Sequence, residues 1–186
     1  MDNTKLQLAD LAVSEMQTGL KNALPWLDAA YGRAERLVRL EDGRRYYTPA
    51  EYRGGNDYTS LLPDSGIGNY CFFWQGDPQT VRQSAGTGGT LTCPLSVIFW
   101  FDIRKISGRA DTRGRDGVKA QILRALNGGF AMRHGKYEVR TCYELAENIF
   151  REFTLDETDN QYLMHPYCGL RFEGTLTVRE DCYGVC

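Results

Sequence analysis

The sequence predicts a single α+β domain over residues 1–186, an antiparallel sheet with one long N-terminal helix and a second helix packed on one face, and with extended inter-strand loops. Three observations predict it. The chain opens on an amphipathic helical stripe, two long segments alternate apolar and polar residues, and a second helical stripe lies between those segments. Runs of strands interrupted by few helices belong to an α+β architecture and not to a regular β-α-β succession.

The first helix is expected over 4–24, where Leu8, Leu11, Met16, Leu20, Ala23 and Leu24 fall near one stripe. Asn3 or Thr4 suits its cap, and Pro25 stops it by disfavouring helical geometry in the residue before it. Tyr31–Leu40 and Arg45–Thr48 read as strands joined through Asp42-Gly43, a dipeptide whose tolerance of positive φ favours a two-residue hairpin. Pro49 is expected to end the second strand. Residues 49–68, with Gly54, Gly55, Pro63, Gly66 and Gly68, read as a long loop. Asn69–Trp74 is a short aromatic strand, and 76–90 a second long loop ending in Gly86-Thr87-Gly88-Gly89.

The clearest strand follows. Leu95, Val97, Phe99, Phe101 and Ile103 point one way; Ser96, Ile98, Trp100, Asp102 and Arg104 point the other. A polar connection over 106–115 leads to a helix over 116–127, with Val118, Ile122, Leu123 and Leu126 on one face and Gly128-Gly129 as its C-terminal cap. Lys136–Tyr143 suits a strand, Glu144–Phe150 a short helix, and Asp156–Asn160 an exposed polar turn. In the last strand Leu170, Phe172, Leu176 and Val178 face inward. Arg171, Glu173, Thr175, Thr177 and Arg179 face outward, the pattern of a sheet with one wet face.

Composition narrows the function classes. A net charge of −2 gives no bulk attraction to nucleic acid, and no sequence-specific nucleic-acid partner is expected. Ten acids against four arginines from Glu138 onward give −6, leaving +4 on residues 1–137, an asymmetry that suits head-to-tail contact between copies. No apolar run approaches the ~20 residues that span a bilayer, and the opening residues lack the apolar core of a signal peptide, so a soluble, cytoplasmic chain is expected. Cys71, Cys93, Cys142 and Cys168 are then expected as buried free thiols; Cys182 and Cys186, four apart, are a weak metal signal without a histidine beside them.

No motif for catalysis or cofactor binding stands out. Gly86-Thr87-Gly88-Gly89 lacks the phosphate-loop pattern and precedes a strand. His134 and His165 have no metal-site spacing, and a Cys168–His165 nucleophile pair would need a geometry that proximity in sequence does not supply. Asp156, Glu157 and Asp159 lack the calcium-loop pattern. Arg44, Arg45, Tyr46 and Tyr47, with Tyr52 and Arg53, read as a hairpin with an amphipathic outer face or as a nucleic-acid surface. No catalytic residue, cofactor or metal ligand is therefore expected. The two long loops are the stronger functional signal. Tyr52, Tyr58, Leu61 and Leu62 are candidate interface anchors there, and Arg104 and Glu173, at outward strand positions, are further candidate contact residues.

The chain resembles the tail-completion (tail terminator) proteins of phages and prophages. The resemblance is carried by Leu24-Pro25-Trp26-Leu27 after the opening helix, by Tyr31-Gly32-Arg33-Ala34, by Cys93–Asp102, by the helix over 116–127, and above all by Pro166–Leu176. It implies an α+β protomer forming a homo-oligomeric ring, commonly a hexamer, that caps the tail tube, meets the neck or head connector and has no catalytic residues. Such a protein would act in the host cytoplasm during assembly and remain in the virion. A neck or head-completion protein is a close variant. The longer loops and the cysteine-containing terminus depart from the family pattern. Two other classes remain open: a small-molecule-binding domain or enzyme without a local motif, and a monomeric bacterial adaptor.

Overall fold

The computed structural model describes residues 9–84, 88–107, 112–154 and 163–179. The elements run α1 (Ala9–Ala23), β1 (Ala29–Glu41), β2 (Arg44–Gly54), β3 (Asp57–Ser60), β4 (Tyr70–Gln75), β5 (Thr80–Ser84), β6 (Gly88–Asp102), α2 (Ile103–Ser107), α3 (Thr112–Leu126), β7 (Gly135–Tyr143), α4 (Ala146–Ile149) and β8 (Tyr167–Arg179). The strands form one eight-stranded sheet in the order β3-β2-β1-β4-β6-β8-β7, with β5 pairing β6 beyond the end of β4. Every pair is antiparallel except β1 with β4.

The sheet rests on the two alternating segments, β6 and β8, which pair over thirteen consecutive positions from Thr90↔Arg179 to Asp102↔Tyr167. Leu95, Val97, Phe99 and Phe101 of β6 join Leu170, Phe172, Leu176 and Val178 of β8 in one core. That core is closed by α1 through Ala12, Val13, Met16 and Leu20, and by α3 through Val118, Ile122, Ala125 and Leu126. Gly128, at φ 120°, ends α3 as expected, and Gly129 N–H donates to Ala125 O at 2.9 Å.

Several expectations change. The described part of the first helix begins at Ala9, and the expected start and cap at 3–8 lie outside the described residues, as do Asp156–Asn160, Cys182 and Cys186. Within α1, Leu11 is only half-buried while Ala12 and Val13 are buried. Pro49 does not end β2. Pairs alternate outward from a two-residue turn between hydrogen-bonded and non-hydrogen-bonded positions, so Arg36↔Pro49 falls at a non-hydrogen-bonded one and the missing N–H breaks no bond to β1. The 49–68 segment is therefore not one loop: it holds the end of β2 and all of β3. Likewise 76–90 contains β5 and the start of β6. Ile103 opens α2 where the strand alternation ends, yet its side chain is buried in the same core as Leu95, Val97, Phe99 and Phe101, as expected.

The second face of the sheet is not wet. Tyr70, Phe72, Ile98 and Trp100 lie there in a second core with Leu61, Ile149, Phe150 and Phe153. The short helix α4 thus packs on the face opposite α1 and α3. Trp100 stacks on Tyr167 at 4.8 Å, and Trp74 meets Phe153 edge-on at 5.2 Å. A polar clip secures one end of the sheet: buried Asn69 accepts Asp102 N–H at 2.9 Å, donates its amide to Trp26 O at 3.0 Å, and donates its own N–H to Asp28 Oδ2 at 2.7 Å. Buried polar groups satisfied in this way fix relative strand positions that apolar packing alone leaves degenerate.

Candidate assembly surface

The β1–β2 hairpin is longer than the sheet that supports it. Register between β1 and β4 stops at Arg33↔Phe73, and register between β2 and β3 starts at Ala50↔Ser60. Residues 35–49 therefore run as a two-stranded ribbon past the body of the sheet, closed by Asp42 and Gly43 at φ 48° and 75°. Positive φ at both turn positions matches the twist of the strands.

Alternation gives the ribbon two faces. Arg36, Val38 and Leu40 lie with their partners Pro49, Tyr47 and Arg45 on one of them. Val38 is 57% exposed and Leu40 70%. The Arg36 guanidinium sits 4.4 Å above the Tyr47 ring, and Thr154 N–H donates to Tyr47 O at 2.8 Å, so the base of the ribbon is braced. Toward the tip the chain has an exposed Arg39–Glu41 ion pair at 3.2 Å, worth little energetically.

At the base, Tyr52 and Tyr58 face each other across β2 and β3 with rings 5.2 Å apart, and both remain substantially exposed. Tyr58 Oη donates to Glu35 at 3.1 Å, tying β3 to β1 across the intervening strand. These two expected interface residues are thus brought together. Leu61 is fully buried in the second core, where its carbonyl accepts the Tyr70 hydroxyl at 2.9 Å, so it is not a surface residue. Leu62 is half-buried over a hollow of about 320 Å³ shared with Pro63 and Ile67. Arg104 lies at the opposite end of β6 from the ribbon, bonded to Asp102 at 2.7 Å; that bond holds the Asp102 carboxyl below its ordinary range.

Beyond Arg33, β1 and β4 diverge and the sheet splits. On the α1 side the split opens into a cleft of about 710 Å³ walled by Asp10, Arg33, Glu35, Glu51, Trp74 and Asp77. On the other side lies a cleft of about 560 Å³ bordered by Trp74, Ser96, Arg151, Arg171 and Glu173. Arg171 alternates with the inward-facing residues of β8, a pattern that predicts a side chain in solvent. Its side chain is instead 1% exposed, with Nε on Glu173 at 2.7 Å, Nη2 on Glu152 at 2.6 Å and on Ser96 Oγ at 2.9 Å, and Nη1 on both Glu152 and the Ile149 carbonyl. Arg151 adds a second cation, 2.6 Å from Glu173. Glu173, the last expected contact residue, belongs to this cluster. No local signal marks it, because Glu152 reaches the strand from a segment nineteen residues away.

The cations and carboxylates of the cluster are paired with one another. Elsewhere, Glu15 accepts both the Arg133 and His134 N–H groups and meets His134 Nδ1 at 2.7 Å, a bracket between α1 and β7. Cys168 packs on the first core, and burial raises its thiol pKa, the opposite of an activated nucleophile. Among the described residues, no three His, Cys, Asp or Glu side chains converge as metal ligands, and no helix is long and apolar enough to cross a membrane. Compared with known proteins, the chain matches no family and no curated relative.

Proposed function

We propose that this chain is a structural assembly protein of a phage or prophage tail, a tail-completion subunit that closes head to tail with copies of itself into a ring at the tail–neck junction. There the ring would contact tail-tube and head-connector proteins. The observation that carries the reading is the ribbon over 35–49. Two-stranded ribbons are marginal alone in water, and this one exposes Val38 and Leu40 on a single face. Such an arm gains its stability from a partner, and a heterologous contact between arm and body generates rings when the rotation closes. The resemblance described above supplies the biological setting.

The cleft of about 710 Å³ favours a second reading, a small-molecule site. Its charged walls speak against it, since Arg33 is bonded to Asp10 at 2.6 Å and Glu51 to Arg53 at 2.9 Å. Negative-stain electron microscopy of the purified chain, alone and with tail-tube protein, tests the proposal. Annular particles of uniform diameter are expected. Separate protomers under both conditions would overturn it.

A further inference from the structure

The ribbon has a free backbone edge, and the body of the sheet has another. On the β4 side, β1 is unpaired after Arg33, and the outer edge of β5 is unpaired along Thr80–Ser84 among the described residues. Both edges border the same split. They are not paired with each other within one copy: the β1–β4 ladder ends at Arg33↔Phe73 and β5 pairs only β6. Unpaired N–H and C=O rows of this kind are templates for strand addition.

We infer that the outer edge of β5 is the acceptor for the ribbon of a second copy. This rests on the assembly reading above and names its acceptor. Two further features favour this pairing. Val81, the second residue of β5, is 65% exposed, so the body offers an aliphatic side chain where the ribbon offers Val38 and Leu40. The charges also complement. The ribbon beyond Pro49 and Arg36 carries Arg39, Arg44 and Arg45 against Glu41 and Asp42, a net +1, while the body beside the split carries Asp10, Glu51 and Asp77 against Arg33 and the Arg82 of β5, a net −1. The occupant is therefore an aliphatic strand edge of weakly basic charge, and this chain supplies one. Each copy then gives a ribbon and receives one, the heterologous arrangement that closes rings.

The test places a photo-crosslinking amino acid at Leu40 in a mixture of heavy-isotope and light chains, followed by mass spectrometry of the adducts and light scattering on the same sample. Heavy–light adducts between position 40 and residues 77–84 are expected, together with a multimeric mass. Adducts elsewhere, or adducts within one chain alone, in a sample that remains multimeric would overturn the β5 assignment and leave the ring standing. A monomeric mass without heavy–light adducts would remove both. As a second variant, Val81→Asp is expected to lower the multimeric fraction at least tenfold while its far-ultraviolet circular dichroism stays at the wild-type value and its melt stays cooperative. An unchanged multimeric fraction in that variant would likewise overturn the assignment.

Discussion

Arg171→Met removes the cation at the centre of the buried cluster while keeping most of its aliphatic length. Removing one partner of a buried ion pair costs about 3–5 kcal/mol, because the other charge is left unpaired. Glu152 and Glu173 keep 18% and 23% exposure and Arg151 stays beside both, so solvent and the second cation offset part of that loss. A cost of about 2–3 kcal/mol at pH 7 is expected. With a urea m value of about 2 kcal/mol/M, the denaturation midpoint should fall by about 1–1.5 M. The loss has a pH signature. Burial opposes ionisation of Glu152, but the Arg171 hydrogen bonds and charge outweigh it and hold the carboxyl below its ordinary range. A lowered carboxyl pKa contributes stability above the unfolded value of about 4.3, and that contribution fades as pH falls through the folded value. The gap between wild type and Arg171→Met should therefore narrow below about pH 4. Glu152→Gln in the Arg171→Met background should recover part of the loss at pH 7. A midpoint shift under about 0.3 M, or one that is constant from pH 7 to pH 3, would refute the reasoning.

Two further outcomes follow from packing. A Cβ on Gly174 would lie 2.2 Å from the Glu138 carbonyl oxygen and 2.9 Å from the Tyr137 ring, both across the β7–β8 pair. Gly174→Ala should cost about 1–3 kcal/mol or more by urea denaturation, with the m value unchanged. Cys71 is fully buried and its thiol is pushed far up by burial, while burial and then the Glu144 charge push Cys142 up to about 11. At pH 8 Cys142 should label with a thiol reagent about two orders of magnitude more slowly in the native chain than in urea, and Cys71 more slowly still, with mass spectrometry reporting each site.

Much of the fold was legible because its longest elements state their period plainly. The β6 and β8 alternations, the α1 and α3 stripes and the Asp42-Gly43 turn are all present, although α3 begins at Thr112, four residues before the expected start at 116 and within the stretch expected as a polar connection. The short elements were not legible. β3 is four residues, Asp-Tyr-Thr-Ser, between Asn56 and Leu61, and β5 is Val81 with four polar residues, so neither has enough period to show. Pro49 concealed the length of β2, since sequence alone does not reveal which ladder position a proline occupies. The second core was hidden because Tyr70–Trp74 is aromatic on both faces, which leaves its orientation undetermined. Arg171 was hidden for a related reason: an arginine at an alternating position reads as solvated until Glu152 and Ser96 are seen to enclose it. Of the candidate surface, Tyr52 and Tyr58 were legible. The ribbon and the split depend on where neighbouring strands stop, which is a property of the sheet and not of any local segment.

The measurement that tests the assembly proposal most directly is absolute mass by light scattering on a sizing column, over a hundredfold range of concentration, for wild type and Val38→Asp/Leu40→Asp. Both side chains lie in solvent on the ribbon, so the double variant should keep the wild-type far-ultraviolet circular dichroism and a cooperative melt. The wild type is expected as a closed multimer whose mass does not change with concentration, and the variant as a monomer of 21.1 kDa. A monomeric wild type at every concentration, or a variant that assembles as the wild type does, would contradict the account.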